Sequence, residues 1–205
     1  MHKIFLSGAA GLVGQNLCIE LSKSHKDFSL VGCDKNSYNL NILESINSSQ
    51  NFEFICEDLS EKNSNWVQSL KDSDILIICH AQISSLNEED FIRNNVQATK
   101  NLLEEAQASN IKKIIHISSS VINSNASDAY IDTKTQQENL IKNSGIENII
   151  LRPTLMFGAL DRKHLGWLQK FMNKYPLFPI PGKGDFIRQP LFVRDFCKII
   201  ESCII

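Results

Sequence analysis

Apolar residues along this chain gather in short, nearly uninterrupted runs, each followed by a longer stretch where they recur at three- and four-residue spacing. "KIFLS" leads into 12–24, "FSLVGC" into a polar stretch, and "FEFIC" into 63–70. "DILIICH" leads into 88–108, "KKIIHIS" into 130–143 and "ENIILR" into 162–174. Runs without apolar/polar alternation predict strands covered on both faces, and the spaced stretches predict amphipathic helices. The regular succession of the two predicts a doubly wound α/β fold, a parallel sheet with helices on either side. "INSSQN" and "INSNASD" are rich in turn residues and read as loops.

The character changes after residue 151. Pro153, Pro176, Pro179, Pro181 and Pro190 are all the prolines of the chain, so a nucleotide-binding unit over 1–151 and a differently built region over 152–205 are expected. The final "FVRDFCKIIESCII" places Phe196, Ile199, Ile200 and Cys203 at helical spacing and ends on Ile204 and Ile205. So apolar a helix must pack on something. Either a C-terminal lobe is small or truncated, or the end is docked in a core.

Composition narrows the function. A net charge of -2 offers no basic field for nucleic acid or an anionic membrane. No apolar run approaches the ~20 residues of a membrane span, and no secretory leader is evident in the opening residues. The six cysteines (Cys18, Cys33, Cys56, Cys79, Cys197, Cys203) show no paired metal-ligand spacing and read as reduced core thiols of a cytoplasmic protein.

Candidate chemistry begins at "SGAAGLVGQNL", where Gly8, Gly11 and Gly14 sit between the first strand and the first helix. Glycines there allow a tight turn and close approach of the backbone to a pyrophosphate, with Leu12 and Val13 supplying helix N-terminal N–H groups. Asp34 ends the second strand twenty residues after Gly14. An acidic side chain in that position accepts from both hydroxyls of an adenosine ribose and repels a 2′-phosphate, favouring NAD over NADP. Asp58 and Leu59, after the third strand, read either as neighbours of an adenine ring or, for Asp58, as a helix N-cap. Tyr130 and Lys134, in "YIDTK", fall on one face of a helix.

Taken in order, "GAAGLVG", Asp34, "EDL", "ILIICHAQ", "NNVQATKNLLEEA", "IIHISSS", "YIDTK", "ILRPTLMFG" and "RQPLFVRDF" resemble an extended short-chain dehydrogenase/reductase of the NAD-dependent epimerase/dehydratase family. The resemblance covers essentially the whole chain and implies a Rossmann fold. It makes Tyr130 the acid/base, with Lys134 favouring its phenolate and holding the nicotinamide ribose. Ser119, or failing it Ser120, becomes the substrate-orienting hydroxyl. His80 and Ala81 match a segment lining the cofactor, Asn95 a bracing asparagine near it, and Pro153 a neighbour of the nicotinamide. Arg188 matches an arginine that grips a substrate diphosphate. Asp161, Arg162, Lys163 and His164 read as a solvated helix start. A homodimer through helices 88–108 and 130–143 is also implied.

Two departures stand out. Only ten residues separate Ser119 from Tyr130, and Leu155 replaces an asparagine of the family pattern. The expected activity is NAD-dependent epimerisation, dehydration or reduction of a nucleotide-linked sugar. An NAD(P)-dependent reductase of a small carbonyl compound and a non-catalytic NAD(P)-binding subunit are the alternatives.

Overall fold

The computed structural model of the protein describes residues 2–24, 27–47, 49–62, 65–175, 177–180, 182–185 and 187–205. Six parallel strands form one sheet in the order β3-β2-β1-β4-β5-β6: β1 His2–Ser7, β2 Phe28–Asp34, β3 Phe52–Cys56, β4 Ile75–Ile78, β5 Lys113–Ile117 and β6 Glu147–Leu151. The order reverses between β1 and β4, which pair directly at the centre of the sheet. That reversal opens a crevice at the strands' carboxyl ends.

Helices cover both faces, as the unbroken apolar runs require. On one side α1 (Leu12–Ser22) packs beside the last helix, α8 (Val193–Ile204). Val193, Phe196, Cys197, Ile200 and Ile204 of α8 join Leu17, Cys18 and Leu21 of α1 in one buried cluster with Ile4, Leu6, Ile115 and Ile117 of the sheet. The apolar C-terminal segment is therefore core. On the other face, α3 (Trp66–Lys71), α5 (Ala98–Gln107) and α6 (Ala129–Lys142) bury Trp66, Leu102, Leu103 and Ile141 against Phe5, Leu76, Ile78 and Ile114.

Four expected elements differ in detail. The polar stretch after β2 contains a helix, α2 (Ser37–Ile46), because the Asn36 side chain caps the Asn39 N–H and Leu40 and Leu43 face the core one turn apart. The helix expected over 63–70 is described only from its later part, Trp66–Lys71, with Asn63 and Ser64 outside the described residues. The helix expected over 88–108 is interrupted: α4 (Glu88–Phe91) widens into a π-helical turn at Ile92–Gln97 before α5 resumes. Such a turn carries one extra residue and re-aims the side chains on it, and Asn95 lies within it. Finally, α7 (His164–Lys174) starts two residues later than expected, and a two-stranded ribbon joins β7 (Met156–Phe157) to β8 (Leu191–Phe192). Pro176 and Pro181 lie outside the described residues.

The cysteines are all unpaired. Cys18, Cys33 and Cys197 are buried and Cys79 and Cys203 half-buried, whereas Cys56 at the end of β3 is exposed.

Candidate active site

The glycine loop is built by steric necessity at two positions. Gly8 has φ of +76°, and a Cβ there would lie 2.5 Å from the His80 backbone nitrogen. Gly14 abuts the same turn, where a Cβ would stand 2.3 Å from the Gly8 carbonyl oxygen. Gly14→Ala should therefore cost about 1–3 kcal/mol or more of folding stability by overpacking, read as a lower urea midpoint at unchanged slope. Gly11 differs: its φ is -78° and a Cβ would meet only the Gly8 carbonyl, at 3.3 Å. A side chain at Gly11 would need that carbonyl to give by a few tenths of an ångström, and its absence leaves the start of α1 open to the crevice. No side chain caps that helix start and no acidic residue sits in its first turn, so its N–H groups and positive dipole end face the cleft.

Asp34 stands beside this opening. Its Oδ2 accepts from the Ala10 N–H at 3.1 Å and its Oδ1 from the Asn36 N–H at 2.9 Å, so each oxygen keeps a lone pair to offer. Burial pushes its carboxyl above the usual range, partly offset by those two backbone donors. Lys35 is drawn across the cleft mouth to Asn94 Oδ1 at 2.7 Å.

Asp58 also lines the cleft, but its carboxylate is occupied. Oδ1 accepts from the Ser60 N–H and hydroxyl, and Oδ2 pairs with Arg93 at 3.0 Å. Partial burial works against its ionised form, yet the Ser60 donors and the charges of Lys35 and Arg93 hold the carboxyl below its usual range. Of the two sequence readings, local capping describes these bonds, although the capped turn precedes α3 and is not its first turn.

His80 is fixed in a buried polar row. Thr99 donates its hydroxyl hydrogen to the Asn95 carbonyl at 2.7 Å, so His80 Nε2–H donates to the Thr99 oxygen at 3.1 Å and Nδ1 accepts from Ser7 Oγ at 2.9 Å. Burial, with the Lys134 charge adding to it, pushes this imidazole down to about 3. It is a neutral strut. Asn95 is 0% exposed and lies behind the cleft lining: it accepts from the Gln82 N–H at 2.6 Å and donates to Thr133 Oγ1 at 3.0 Å. It ties the loop after β4 to α6.

Tyr130, in the first turn of α6, is half-buried and lines the cleft with Ser119, whose hydroxyl favours the ionised phenol. The Asp128 side chain starts the helix by accepting from the Ile131 N–H at 2.8 Å. Lys134, 0% exposed, donates to the Ile117 carbonyl at 2.9 Å. Burial pushes the Tyr130 phenol up, the Ser119 hydroxyl opposing it, while burial pushes the Lys134 ammonium down to about 7. Both side chains are biased towards their neutral forms because desolvation is the largest influence on each.

The cleft they share has a volume of about 1200 Å3. Gly8, Gly11, Leu12, Val13, Gly14, Asp34, Asp58, Leu59, His80 and Ala81 line it. Ser119, Ser120, Tyr130, Lys134, Pro153 and Arg188 line it as well. Leu155 lines it too, as do Asp161, Arg162 and Lys163. Asp161 accepts from the Lys163 and Gly166 N–H groups at 3.0 and 2.8 Å and so starts α7, which is the role the sequence suggested; the His164 side chain lies outside the described residues. No group of residues able to hold a metal ion occurs among the described residues.

The model of the NAD dependent epimerase/dehydratase family matches residues 4–203. The chain belongs to that family. Among curated relatives, a trifunctional UDP-glucose 4,6-dehydratase/UDP-4-keto-6-deoxy-D-glucose 3,5-epimerase/UDP-4-keto-L-rhamnose-reductase of Arabidopsis thaliana is 29% identical, matching 97% of this chain and 34% of its own. The dTDP-D-glucose 4,6-dehydratase of Dictyostelium discoideum is 28% identical over 93% of this chain and 45% of its own. This family member thus spans about a third to a half of the length of those relatives. Among solved structures, the UDP-glucuronic acid 4-epimerase of Bacillus cereus in complex with UDP-glucuronic acid and NAD superposes with a TM-score of 0.84 at 25% identity, covering 98% of this chain and 73% of the other.

Sequence reading overlooked three sets of bonds in this family member. Asn16 donates to the Ala159 carbonyl at 2.8 Å, bolting α1 to the loop ahead of α7. Gln15 holds the glycine loop through the Ala10 carbonyl at 2.7 Å. Glu138 is paired with Arg152. Only the last carried a signal, since Glu138 follows Lys134 at the same four-residue spacing by which Lys134 follows Tyr130.

Proposed function

We propose that the chain binds NAD and carries the acid/base chemistry of an enzyme that epimerises, dehydrates or reduces a nucleotide-linked sugar. One observation carries this reading: the bare start of α1, the Asp34 carboxylate and the Tyr130–Ser119 pair line a single cleft at the reversal of strand order. The residues fit the cofactor. Gly11 leaves room for a diphosphate against free N–H groups, and Asp34 keeps one lone pair per oxygen for two ribose hydroxyls. Bound NAD would supply a reversible hydride acceptor. Tyr130 holds and returns the proton of the sugar hydroxyl, and Ser119 orients that hydroxyl. With the phenol biased to its neutral form, the unliganded chain keeps Tyr130 as a loaded acid. Lys134 fixes the helix beneath it. Arg188, with Arg162 and Lys163 near it on the rim, meets the substrate's diphosphate. Residues 1–151 form the NAD-binding unit, and the loops of 152–205 that reach the cleft form part of a substrate-binding region.

The expected homodimer needs a face to join it. The groove between α5 and α6 is lined by Val96, Leu103 and Leu140 together with Lys100, Glu104 and Gln136, so a dimer there would combine apolar and polar contacts.

Ligand-induced shifts in melting temperature test the reading. NAD at a hundredfold excess over its dissociation constant should stabilise the protein by about 2.7 kcal/mol, NADP much less, and Asp34→Asn should narrow that gap. UDP-glucose or dTDP-glucose should add a further shift on the NAD-bound protein. NAD binding without any sugar-nucleotide effect would favour the small-carbonyl reductase instead, and binding of both without turnover would favour the non-catalytic subunit.

A further inference from the structure

Tyr130, Lys134 and Glu138 follow one another at one-turn spacing along α6, and the ridge they form is tied to two adjacent strand ends. Lys134 bonds the last carbonyl of β5. One turn on, Glu138 receives both arms of Arg152: Nε donates to Oε1 at 2.8 Å and Nη2 to Oε2 at 2.7 Å. Arg152 is the first residue beyond β6 and immediately precedes Pro153, a cleft residue. Its Nη1 donates to Asn123 Oδ1 at 3.4 Å, at the end of the short 3-10 turn Ser120–Asn123. The same loop is stitched to β6 through Ser118 N–H to the Leu151 carbonyl at 2.8 Å and Ser120 N–H to the Pro153 carbonyl at 3.0 Å.

The Glu138 side chain is 2% exposed and lies outside the cleft lining. A carboxylate so buried persists only because the guanidinium fork and Lys142, 3.0 Å away, compensate it. The pair joins the three pieces that bring the reactive hydroxyls together: α6 with Tyr130, the 118–124 loop with Ser119, and the β6 end with Pro153. A two-armed bond fixes angle as well as distance, whereas a single ion pair fixes neither well.

We propose that Glu138 and Arg152 are positioning residues, a two-armed clamp that sets the Tyr130 phenol against the Ser119 hydroxyl and thereby governs turnover without contributing to ligand binding. The inference rests on the enzymatic reading above. Its test is Arg152→Lys, which keeps the charge facing Glu138 and removes the second arm. With NAD and UDP-glucose, kcat should fall about 10–100-fold while KM and the NAD dissociation constant stay within about twofold. A second measurement needs no turnover. The ionisation of Tyr130, read in the near-ultraviolet as the difference between each protein and its Tyr130→Phe form, should move to higher pH as the phenol and the Ser119 hydroxyl draw apart. Glu138→Gln, a neutral isostere, serves the same two measurements should Arg152→Lys fail to fold. If the variants melt lower yet keep wild-type kcat and wild-type Tyr130 ionisation, or if KM rises at unchanged kcat, the clamp does not position the chemistry. If wild-type protein turns over no sugar nucleotide, the enzymatic reading falls and the tyrosine titration alone decides the clamp.

Discussion

Tyr130→Phe is expected to lower turnover of a nucleotide sugar by about 10²–10⁴-fold, the usual worth of one positioned acid/base, and to leave NAD affinity within a factor of two or three. The substitution removes one oxygen from a half-buried ring at the helix start. Helix α6 keeps its Asp128 cap and its Lys134 and Glu138 anchors, so the backbone has no reason to move. The Ser119 hydroxyl keeps the Val121 N–H, 3.4 Å away, as a donor to it. Burial disfavours the phenolate, so the folding equilibrium should scarcely notice the loss. Initial rates at saturating NAD, with melting curves as control, make the comparison. A variant that stays folded and works at near wild-type rate would remove Tyr130 from the chemistry.

Lys134→Met should do two opposite things. Activity should fall by about 10²-fold or more, because Lys134 holds the tyrosine-bearing helix to the end of β5 and sits on the cleft wall. Stability should rise by about 1–4 kcal/mol, since a buried ammonium with one carbonyl partner gives way to an apolar side chain of similar length. The gain should depend on pH in a definite sense. Lys134 is pushed from an ordinary 10.5 down to about 7, so between those values the unfolded chain binds the proton that the folded chain has released. Wild-type stability therefore climbs with pH through that window. The methionine variant lacks this slope: its advantage is full at and below about pH 7 and fades towards pH 10.5. Chemical denaturation at three pH values measures it. An equal stability difference at all of them would mean that the ammonium is not desolvated as the structure has it.

How much could be read in advance varied with the physical origin of each feature. The six sheet strands were legible because a strand covered on both faces must be apolar throughout, and "KIFLS" or "DILIICH" has no other economical reading. Helix α2 was not, since only Leu40 and Leu43 face inward and a polar surface hides the period. The π-helical turn was not either: one inserted residue leaves the composition of 88–108 unchanged and alters only the angle at which Asn95 points. Among the site residues, Gly8, Gly14 and Asp34 were predictable from backbone geometry and ribose chemistry. The burial of Asn95 is not legible, because a motif does not say which way its amide faces. Nor is the desolvation of Tyr130 and Lys134, as spacing reveals a neighbouring charge and conceals how little water surrounds it.

By itself, then, the order of residues determined the alternation of strand and helix, the glycine turn after β1, the carboxylate at the end of β2 and the placing of Tyr130 and Lys134 on one helix face. All of these are local consequences of period, sterics and side-chain type. Only the tertiary structure decided that the final apolar helix belongs to the core beside α1, that His80 is a neutral strut, and that Arg152, fourteen residues from Glu138 in sequence, closes a two-armed bond on it. Such outcomes depend on desolvation and on contacts between distant segments, quantities that exist only once the sheet has brought those segments together.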